Sequence, residues 1–251
     1  MNASIAVLLL SVVTGVFSYS SFSEVSSFIV LDLGTVLDFA GTENDVYMRS
    51  SDACGDSTSI AFDGTDYEIV AIGSQCWFAE NLQSTHFTNG ELIPDGLTGA
   101  QWTSTTGPAT TFYNTDPAML EMYGRLYNWY AVSDPRGLCP TGWHVPSEAD
   151  WQELVDSFMR STKAGIFLKS APGDEPAWNG TNKRGFNGLP GGWRFSAIGN
   201  YGMAGERGYW WSSTDGEKGR ARFMSLNGEK ETVLINSGFY RLGYSVRCLR
   251  D

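Results

Sequence analysis

The sequence predicts an α+β domain with many short strands, tight turns and a small number of helices. Its 251 residues include 29 Gly, nine Trp and eleven Tyr, and this mixture of turn formers and aromatic residues is typical of β-rich folds. Residues 138–158 are the clearest helical segment. With 42% hydrophobic and 14% aromatic residues, the chain can bury a large core, which argues against global disorder.

The helix in residues 138–158 begins after a well-placed N-cap, Ser147. Asp150 stands three residues later, where Glu or Gln would complete the usual capping box. The apolar face has the i, i+3, i+4, i+7 spacing of an amphipathic helix and consists of Trp151, Leu154, Val155 and Phe158. We interpret this helix as part of the core.

Strands are predicted at both ends of the domain. Residues 60–62 and 67–72 flank Asp63-Gly64, a hairpin signal. Three late segments predict an antiparallel meander: residues 220–226, 232–235 and 244–249.

The middle of the chain predicts a loop and a first helix. Residues 83–116 are rich in turn formers and predict a long ordered loop, and Pro117 opens a short helical segment. Leu126, Trp129 and Tyr130 have the spacing of a first helix ahead of the one at Ser147.

The N-terminus predicts secretion. Residues 5–16 (IAVLLLSVVTGV) form an apolar stretch of signal-peptide length that is too short to span a bilayer comfortably. We expect a signal peptide at residues 1–20, an extension or linker at 21–55 and one domain at 56–251. The protein is therefore expected outside the cell or at its surface, and not as a membrane-spanning chain.

An oxidising compartment favours disulfides for the four cysteines, which allow three pairings. We favour Cys54 with Cys76, which closes a small loop, and Cys139 with Cys248, which joins the start of the helical segment to the end of the chain. Zinc is the weaker alternative, because the sequence has no Cys-x-x-Cys motif.

The charge is uneven along the chain. Residues 1–120 contain fourteen acidic residues and one basic residue, whereas residues 121–251 contain fourteen acidic and sixteen basic ones. The net charge of −11 argues against binding to nucleic acid or to an anionic membrane. No cofactor is expected. A structural calcium ion at clustered acids remains an alternative, although their spacing is not that of an EF-hand: Asp52, Asp56, Asp63 and Asp66.

Six sequence blocks occur in a family's characteristic order: residues 71–82 (AIGSQCWFAENL), 123–132 (YGRLYNWYAV), 138–147 (LCPTGWHVPS), 185–194 (GFNGLPGGWR), 209–214 (YWWSST) and 243–251 (GYSVRCLRD). They resemble the Fibrobacter succinogenes major paralogous domain family over residues 60–251. That family is similar in pattern to the C-type-lectin-like fold and to the formylglycine-generating enzymes built on it. The resemblance implies two helices packed on a twisted antiparallel sheet, long irregular loops and chain ends that lie close together.

Catalysis has little support in the residues. The formylglycine-generating enzymes have a Gly-Asn-Val-Trp-Glu-Trp block, and residues 209–214 lack its Asn and Glu. The two histidines, His86 and His144, have no accompanying nucleophile motif. Residues 175–180 (EPAWNG) contain fragments of the calcium-binding motifs of C-type lectins but lack the required Asn and Asp.

Aromatic and arginine residues of the second half are the candidates for ligand binding: Trp178, Arg194, Tyr201, Trp210, Trp211, Arg222 and Tyr240. Such side chains are common at recognition sites, and flat aromatic faces stack on sugar rings, although half or more should be buried. We expect a non-catalytic binding or adhesion module for a cell-surface glycan or protein. The alternatives are a divergent formylglycine-generating-type enzyme and a structural subunit of an extracellular assembly, for which self-assembly is an option.

Overall fold

The computed structural model describes residues 29–31, 35–37, 53–158 and 161–251. The chain divides into two units, residues 1–48 and 49–251. In the first unit, the described residues form an antiparallel hairpin of β1 (Ile29–Leu31) and β2 (Thr35–Leu37). The predicted signal peptide lies outside the described residues.

The described part of the second unit is a mixture of helices and antiparallel sheets, so the predicted α+β class is confirmed. Its strands are β3 (Ser59–Phe62), β4 (Thr65–Ile72), β5 (Gln75–Phe78), β6 (Thr110–Phe112), β7 (Arg125–Tyr127), β8 (Trp143–His144), β9 (Gly191–Arg194), β10 (Tyr201–Ala204), β11 (Arg207–Asp215), β12 (Arg220–Asn227), β13 (Leu234–Phe239) and β14 (Leu249–Arg250). A five-stranded sheet has the order β3-β4-β5-β14-β8, and a three-stranded sheet has the order β11-β12-β13. Two further pairs are β6-β7 and β9-β10.

The helices are short and connect these sheets. Those among the described residues are α1 (Gly99–Ser104), α2 (Pro117–Tyr123), α3 (Trp129–Val132), α4 (Glu148–Asp156) and α5 (Ala164–Leu168), with 3-10 turns at Tyr113–Thr115 and Ser161–Lys163. The described region therefore has five short helices where the resemblance implied two. The longest, α4, is the helix predicted in residues 138–158.

The capping of α4 follows from its first residues. The Ser147 side chain accepts a hydrogen bond from the Asp150 backbone N–H, and the Asp150 carboxylate accepts one from the Ser147 N–H at 2.7 Å. This reciprocal pair satisfies two backbone donors that the first turn leaves without helical partners. Asp150 thus performs the role that Glu or Gln usually has.

The apolar face of α4 packs into the core as predicted. Trp151 is fully buried and stacks on Trp77 of β5, with ring centroids 4.8 Å apart. Phe186 meets both rings edge-on. The helix is therefore held against the sheet that contains β14, close to the end of the chain.

The predicted first helix is wrong at Leu126. Leu126 belongs to β7, where it pairs with Thr111 of β6, and the helix begins only after Asn128. The Asn128 side chain accepts a hydrogen bond from the Ala131 N–H and so caps α3. The i, i+3, i+4 spacing of Leu126, Trp129 and Tyr130 thus crosses a strand–helix boundary.

The structure also differs from the predicted meander at the last predicted strand, residues 244–249. The third strand of that sheet is β11, and residues 244–248 pass through the interior instead. The Ser245 backbone N–H donates to the Tyr209 carbonyl, and the Ser245 carbonyl accepts from the Trp211 N–H, each at 3.0 Å. The last segment therefore joins several elements, and only Leu249–Arg250 forms a strand, in the five-stranded sheet.

Both predicted disulfides are present. Cys54 is bonded to Cys76, and Cys139 to Cys248. All four cysteines of the sequence are therefore paired.

Candidate functional site

Two of the predicted ligand-binding residues, Trp210 and Trp211, belong to the core. Both are fully buried. The Trp210 indole N–H donates to the Asn81 side chain, and the Trp211 indole N–H donates to the Tyr127 carbonyl, each at 2.7 Å. Because β11 is covered on both faces, its aromatic side chains are buried on either side, and neither tryptophan is accessible to a ligand.

Arg194 is also an interior residue rather than a surface contact. It is 3% exposed, and its guanidinium lies 4.5 Å from the Trp102 ring and 5.2 Å from the Tyr201 ring. It donates to the carbonyls of Gly199 and Leu97. Burial lowers the pKa of Arg194. Arg194 therefore joins the β9–β10 hairpin to the loop before α1.

Tyr201 and Arg222 are half-buried and already have partners. The Tyr201 hydroxyl lies 2.8 Å from the Thr111 hydroxyl. Arg222 forms an ion pair with Glu148 at the start of α4 and donates to the Ser237 hydroxyl at 2.9 Å. Both side chains connect elements of the scaffold.

The remaining two candidates, Trp178 and Tyr240, lie in surface grooves at opposite ends of the β11–β12 pair. Arg207, at the start of β11, lines the groove of Trp178. Lys218, in the turn after β11, lines the groove of Tyr240. We call them the Trp178 groove and the Tyr240 groove.

The Trp178 groove has a volume of about 550 Å³ and is formed by three loops. Its lining residues are Pro172, Ala177, Trp178, Asn179, Gly205, Glu206, Arg207, Asn227, Gly228 and Glu229. Trp178 is half-buried, so part of the indole faces solvent. The carboxylates of Glu206 and Glu229 and the guanidinium of Arg207 are exposed around it.

A buried lysine fixes the shape of this groove. Lys169 is 2% exposed, and its ammonium donates to the carbonyls of Asn227 and Lys230 at 3.1 and 3.0 Å. The same ammonium lies 5.4 Å from the Trp178 ring. Burial lowers the pKa of Lys169. The lysine thereby holds the turn after β12 against the indole.

The turn itself closes around the indole edge. The Asn179 side chain donates to the Gly228 carbonyl. A Cβ atom at Gly228 would lie 3.2 Å from the Trp178 indole nitrogen, so the turn approaches the ring closely. Trp178 is thus a rigid half-exposed platform and not a freely rotating surface side chain.

The Tyr240 groove has a volume of about 390 Å³ and is lined by Tyr130, Ser196, Ala197, Lys218, Gly219, Phe239, Tyr240 and Arg241. The Tyr240 ring stacks on Trp129, with centroids 4.5 Å apart. Its hydroxyl donates to the Asp215 carboxylate, and this hydrogen bond raises the pKa of Tyr240 to about 12. The tyrosine is therefore neutral and fixed in position.

Comparison with known families identifies the domain. The family model described as the Fibrobacter succinogenes major domain matches residues 70–250. The chain belongs to this family. No curated protein and no solved structure matches the sequence.

The blocks that carry the resemblance to the Fibrobacter succinogenes major domain meet in the interior. Asn81 of the first block donates to the Tyr123 carbonyl and accepts from Trp210 and from Arg247. Arg247 also donates to the Phe186 carbonyl. Five of the six blocks thus converge on Asn81 and Arg247, and Cys139 links the remaining block to the last one.

The residues that line the Trp178 groove all lie between these blocks. In the Tyr240 groove, only Tyr130 belongs to a block. The family pattern therefore builds the scaffold, and the grooves are built from the connecting loops, which is where binding residues are common.

The two histidines of this family member are held by carboxylates. His144 Nδ1 lies 2.7 Å from the Asp251 carboxylate, and its Nε2 lies 3.4 Å from Asp150. His86 Nδ1 lies 2.8 Å from Asp63. The contacts of His144 connect Asp251 to α4. The contact of His86 connects the β3–β4 turn to the loop after β5.

Asp63 is occupied in the same network. It accepts hydrogen bonds from the Ser84 hydroxyl and the Thr85 N–H at 2.9 and 2.7 Å. Burial alone would raise the pKa of Asp63, but these hydrogen bonds outweigh it, and the pKa lies below its ordinary value. Asp63 thus stabilises the β3–β4 turn.

Two further findings concern the part of the chain that the structure describes. It contains no group of three or more His, Cys, Asp or Glu side chains able to hold a metal ion. It also contains no helix long and apolar enough to cross a membrane.

Sequence reasoning found the two aromatic residues but missed the polar residues around them. Lys169, Glu206 and Glu229 are far apart in sequence, and only the packing of three loops brings them to Trp178. The turn that presents Lys218 has a visible signal, since residues 215–219 (DGEKG) are turn formers between two strands.

Proposed function

We propose that the protein is a secreted, non-catalytic binding module whose Trp178 groove recognises a neutral glycan at the cell surface. The observation that carries the proposal is the rigid, half-exposed indole of Trp178 surrounded by exposed carboxylates and a guanidinium. The apolar C–H face of a pyranose stacks on such a ring. The Glu206, Arg207 and Glu229 side chains are placed to exchange hydrogen bonds with its hydroxyl groups.

The shape of the groove supports an extended ligand. It is open at the surface between three loops, so an oligosaccharide can lie along it without having to enter a closed cavity. Lys169 and Asn179 hold these loops before any ligand arrives. Preorganisation of this kind reduces the ordering cost of binding.

The cysteines support a non-catalytic role. An enzyme of the formylglycine-generating type needs reactive thiols, and here all four cysteines are in disulfides. Titration of the folded protein with a thiol reagent should therefore find no free thiol, and added copper(I) should not bind. Two reactive thiols together with copper binding would favour the enzyme over the binding module.

We also propose that the domain is a variant of the C-type-lectin-like fold. In support, β5 and β14 are neighbours in one sheet, so the beginning and the end of the domain lie together, and long loops connect the strands. Secretion is supported by the apolar residues 5–16 and by the two disulfides, which persist in oxidising compartments.

A glycan array with the full-length protein tests the function. We expect neutral oligosaccharides to bind, and Trp178→Ala to weaken the binding by about 30-fold, the equivalent of about 2 kcal/mol for a hot-spot aromatic residue. The matched control is Phe195→Ala, which removes an aromatic side chain that is 37% exposed and outside the groove. Its binding should be unchanged.

Circular dichroism and thermal melts establish that both variants are folded. An array without any neutral hit would refute the glycan proposal. If a pull-down from cell-surface extract then recovered a discrete protein in a Trp178-dependent way, the groove would be a protein-binding site. Equal affinities of Trp178→Ala and the unmodified protein would place the site elsewhere.

A further inference from the structure

We infer that the Tyr240 groove is a second binding site, which takes an anionic saccharide, that is, a sugar bearing a carboxylate or sulfate group. This inference does not depend on the function proposed for the Trp178 groove. It rests on three cations without acidic partners beside a set of aromatic rings.

The three cations are Lys218, Arg220 and Arg241. None of them forms an ion pair with a carboxylate among the described residues. Some other cations do have such partners, since Arg136 pairs with Glu91 and Asp134, and Lys163 pairs with Glu231. An uncompensated positive charge beside a groove attracts an anionic ligand.

Arg241 is oriented for an external acceptor. It is half-buried, and its Nε donates to the Thr105 carbonyl at 2.9 Å. Its two terminal nitrogens have no acceptor in the described part of the chain. A guanidinium held in this way presents its terminal N–H groups to a planar carboxylate or a sulfate.

Lys218 is presented by a turn of defined shape. The Gly216 N–H donates to the Arg220 carbonyl at 2.8 Å, which closes the turn between β11 and β12. Lys218 and Gly219 both have left-handed backbone conformations, with φ values of 58° and 76°. The ammonium is therefore carried on a fixed loop at the rim of the groove and is exposed to solvent.

The aromatic rings supply the surface for the sugar ring. Tyr240 is supported from behind by Trp129 and meets Tyr130 edge-on, with centroids 5.6 Å apart. Phe239 is 49% exposed, and the Arg220 guanidinium lies 4.0 Å from its ring. Rings that are fixed and half-exposed suit stacking with a pyranose.

The same turn carries two carboxylates, which the three cations outnumber. Asp215 accepts the hydrogen bond of the Tyr240 hydroxyl, Glu217 is exposed, and neither residue lines the groove. The groove is shallow and has no deep apolar pocket in which a peptide side chain could be anchored. It therefore favours a saccharide over an acidic peptide.

The two grooves are too far apart to hold one small ligand. The nine residues of β11 run from one groove to the other, which corresponds to a separation of about 27 Å at about 3.4 Å per residue. The two grooves are therefore separate, and one short ligand cannot occupy both.

Isothermal titration of the full-length protein with tetragalacturonic acid tests the inference, with its fully methyl-esterified form as the neutral control. We expect binding of the acid, at least tenfold weaker binding of the ester, and weakening of acid binding as salt increases. Lys218→Gln combined with Arg241→Gln should weaken binding of the acid at least tenfold. Lys218→Gln alone changes only an exposed side chain and should also weaken binding of the acid.

Two controls separate this site from the first one. Lys163→Gln removes an exposed lysine outside the groove and should leave the affinity for the acid unchanged, as should Trp178→Ala. If Trp178→Ala abolished acid binding while Lys218→Gln had no effect, the acid would bind in the Trp178 groove and the inference would be wrong. Absence of acid binding, equal affinity for acid and ester, or displacement of the acid by hexaglutamate at equal concentration would also overturn it.

Discussion

Removal of each disulfide in turn tests how the chain is stabilised. Cys139–Cys248 has a sequence separation of 109, and Cys54–Cys76 has one of 22. In the chain-entropy relation, the stabilisation grows with the logarithm of the loop length, which gives about 4.8 kcal/mol for the longer loop and about 3.4 kcal/mol for the shorter one. Loss of the long-range bridge should therefore cost about 1.4 kcal/mol more.

Paired alanine substitutions isolate this difference. All four cysteines are buried, with exposures between 0% and 6%, so Cys139→Ala/Cys248→Ala and Cys54→Ala/Cys76→Ala leave voids of similar size. Alanine also avoids burying a hydroxyl group without a partner. The cavity cost is thus similar in the two double variants, and the loop length is what distinguishes them.

Urea unfolding provides the measurement. At a slope of about 2 kcal/mol/M, the variant without Cys139–Cys248 should unfold at a urea concentration about 0.7 M lower than the variant without Cys54–Cys76. Equal midpoints, or a larger loss from Cys54→Ala/Cys76→Ala, would refute the reasoning from loop closure.

Three further predictions concern the capping box, the acid-sensitive turn and the buried lysine. Ser147→Ala removes the N-cap of α4 and should lower the free energy of unfolding by about 1 kcal/mol, measured by urea titration; no change would mean that the cap is dispensable. The pKa of Asp63 is lowered, so its contribution to stability is fully present above the ordinary pKa of 3.8 and is lost as the pH falls through the lower pKa of the folded state. Asp63→Asn should remove this part of the acid dependence of the urea midpoint. An unchanged pH profile of the midpoint would contradict the prediction. Lys169→Met leaves two turn carbonyls without their donor and should cost about 1–3 kcal/mol, with faster amide exchange in residues 227–230; unchanged exchange there would show that the lysine does not hold the turn.

Local sequence signals predicted the elements whose structure depends on neighbouring residues. The cap and apolar face of α4 follow from side chains within a few residues of one another. The same holds for the β3–β4 hairpin, since Asp63 and Gly64 both adopt the left-handed conformation that a two-residue turn requires, with φ values of 46° and 78°. These elements are correct in the prediction for that reason.

Long-range packing decided what the sequence did not predict. Leu126 has helical spacing to Trp129, but pairing with β6 keeps it extended. Residues 244–248 look like one more strand of a meander, yet they cross the core and bond to segments far away in sequence. A strand with one exposed face shows alternating polar and apolar residues. Because β11 is buried on both faces, its sequence lacks this alternation.

The candidate site shows the same division. Trp178 and Tyr240 are recognisable in the sequence as aromatic residues in turn-rich segments. Trp210 and Trp211 have the same composition around them and are buried, so residue type alone does not separate the two cases. The partners of Trp178, above all Lys169, are determined by how three loops pack together.

The central claim is that Trp178 contacts a glycan. Its most direct test is an NMR titration of ¹⁵N-labelled protein with the neutral oligosaccharide selected on the array, in which the nine tryptophan indole N–H resonances are followed. Trp178→Phe assigns the resonance of Trp178. We predict that this resonance shifts most and that the signal of Trp129, beneath the Tyr240 groove, stays in place. A titration that shifted Trp129 or other indoles and left Trp178 unchanged would contradict the claim.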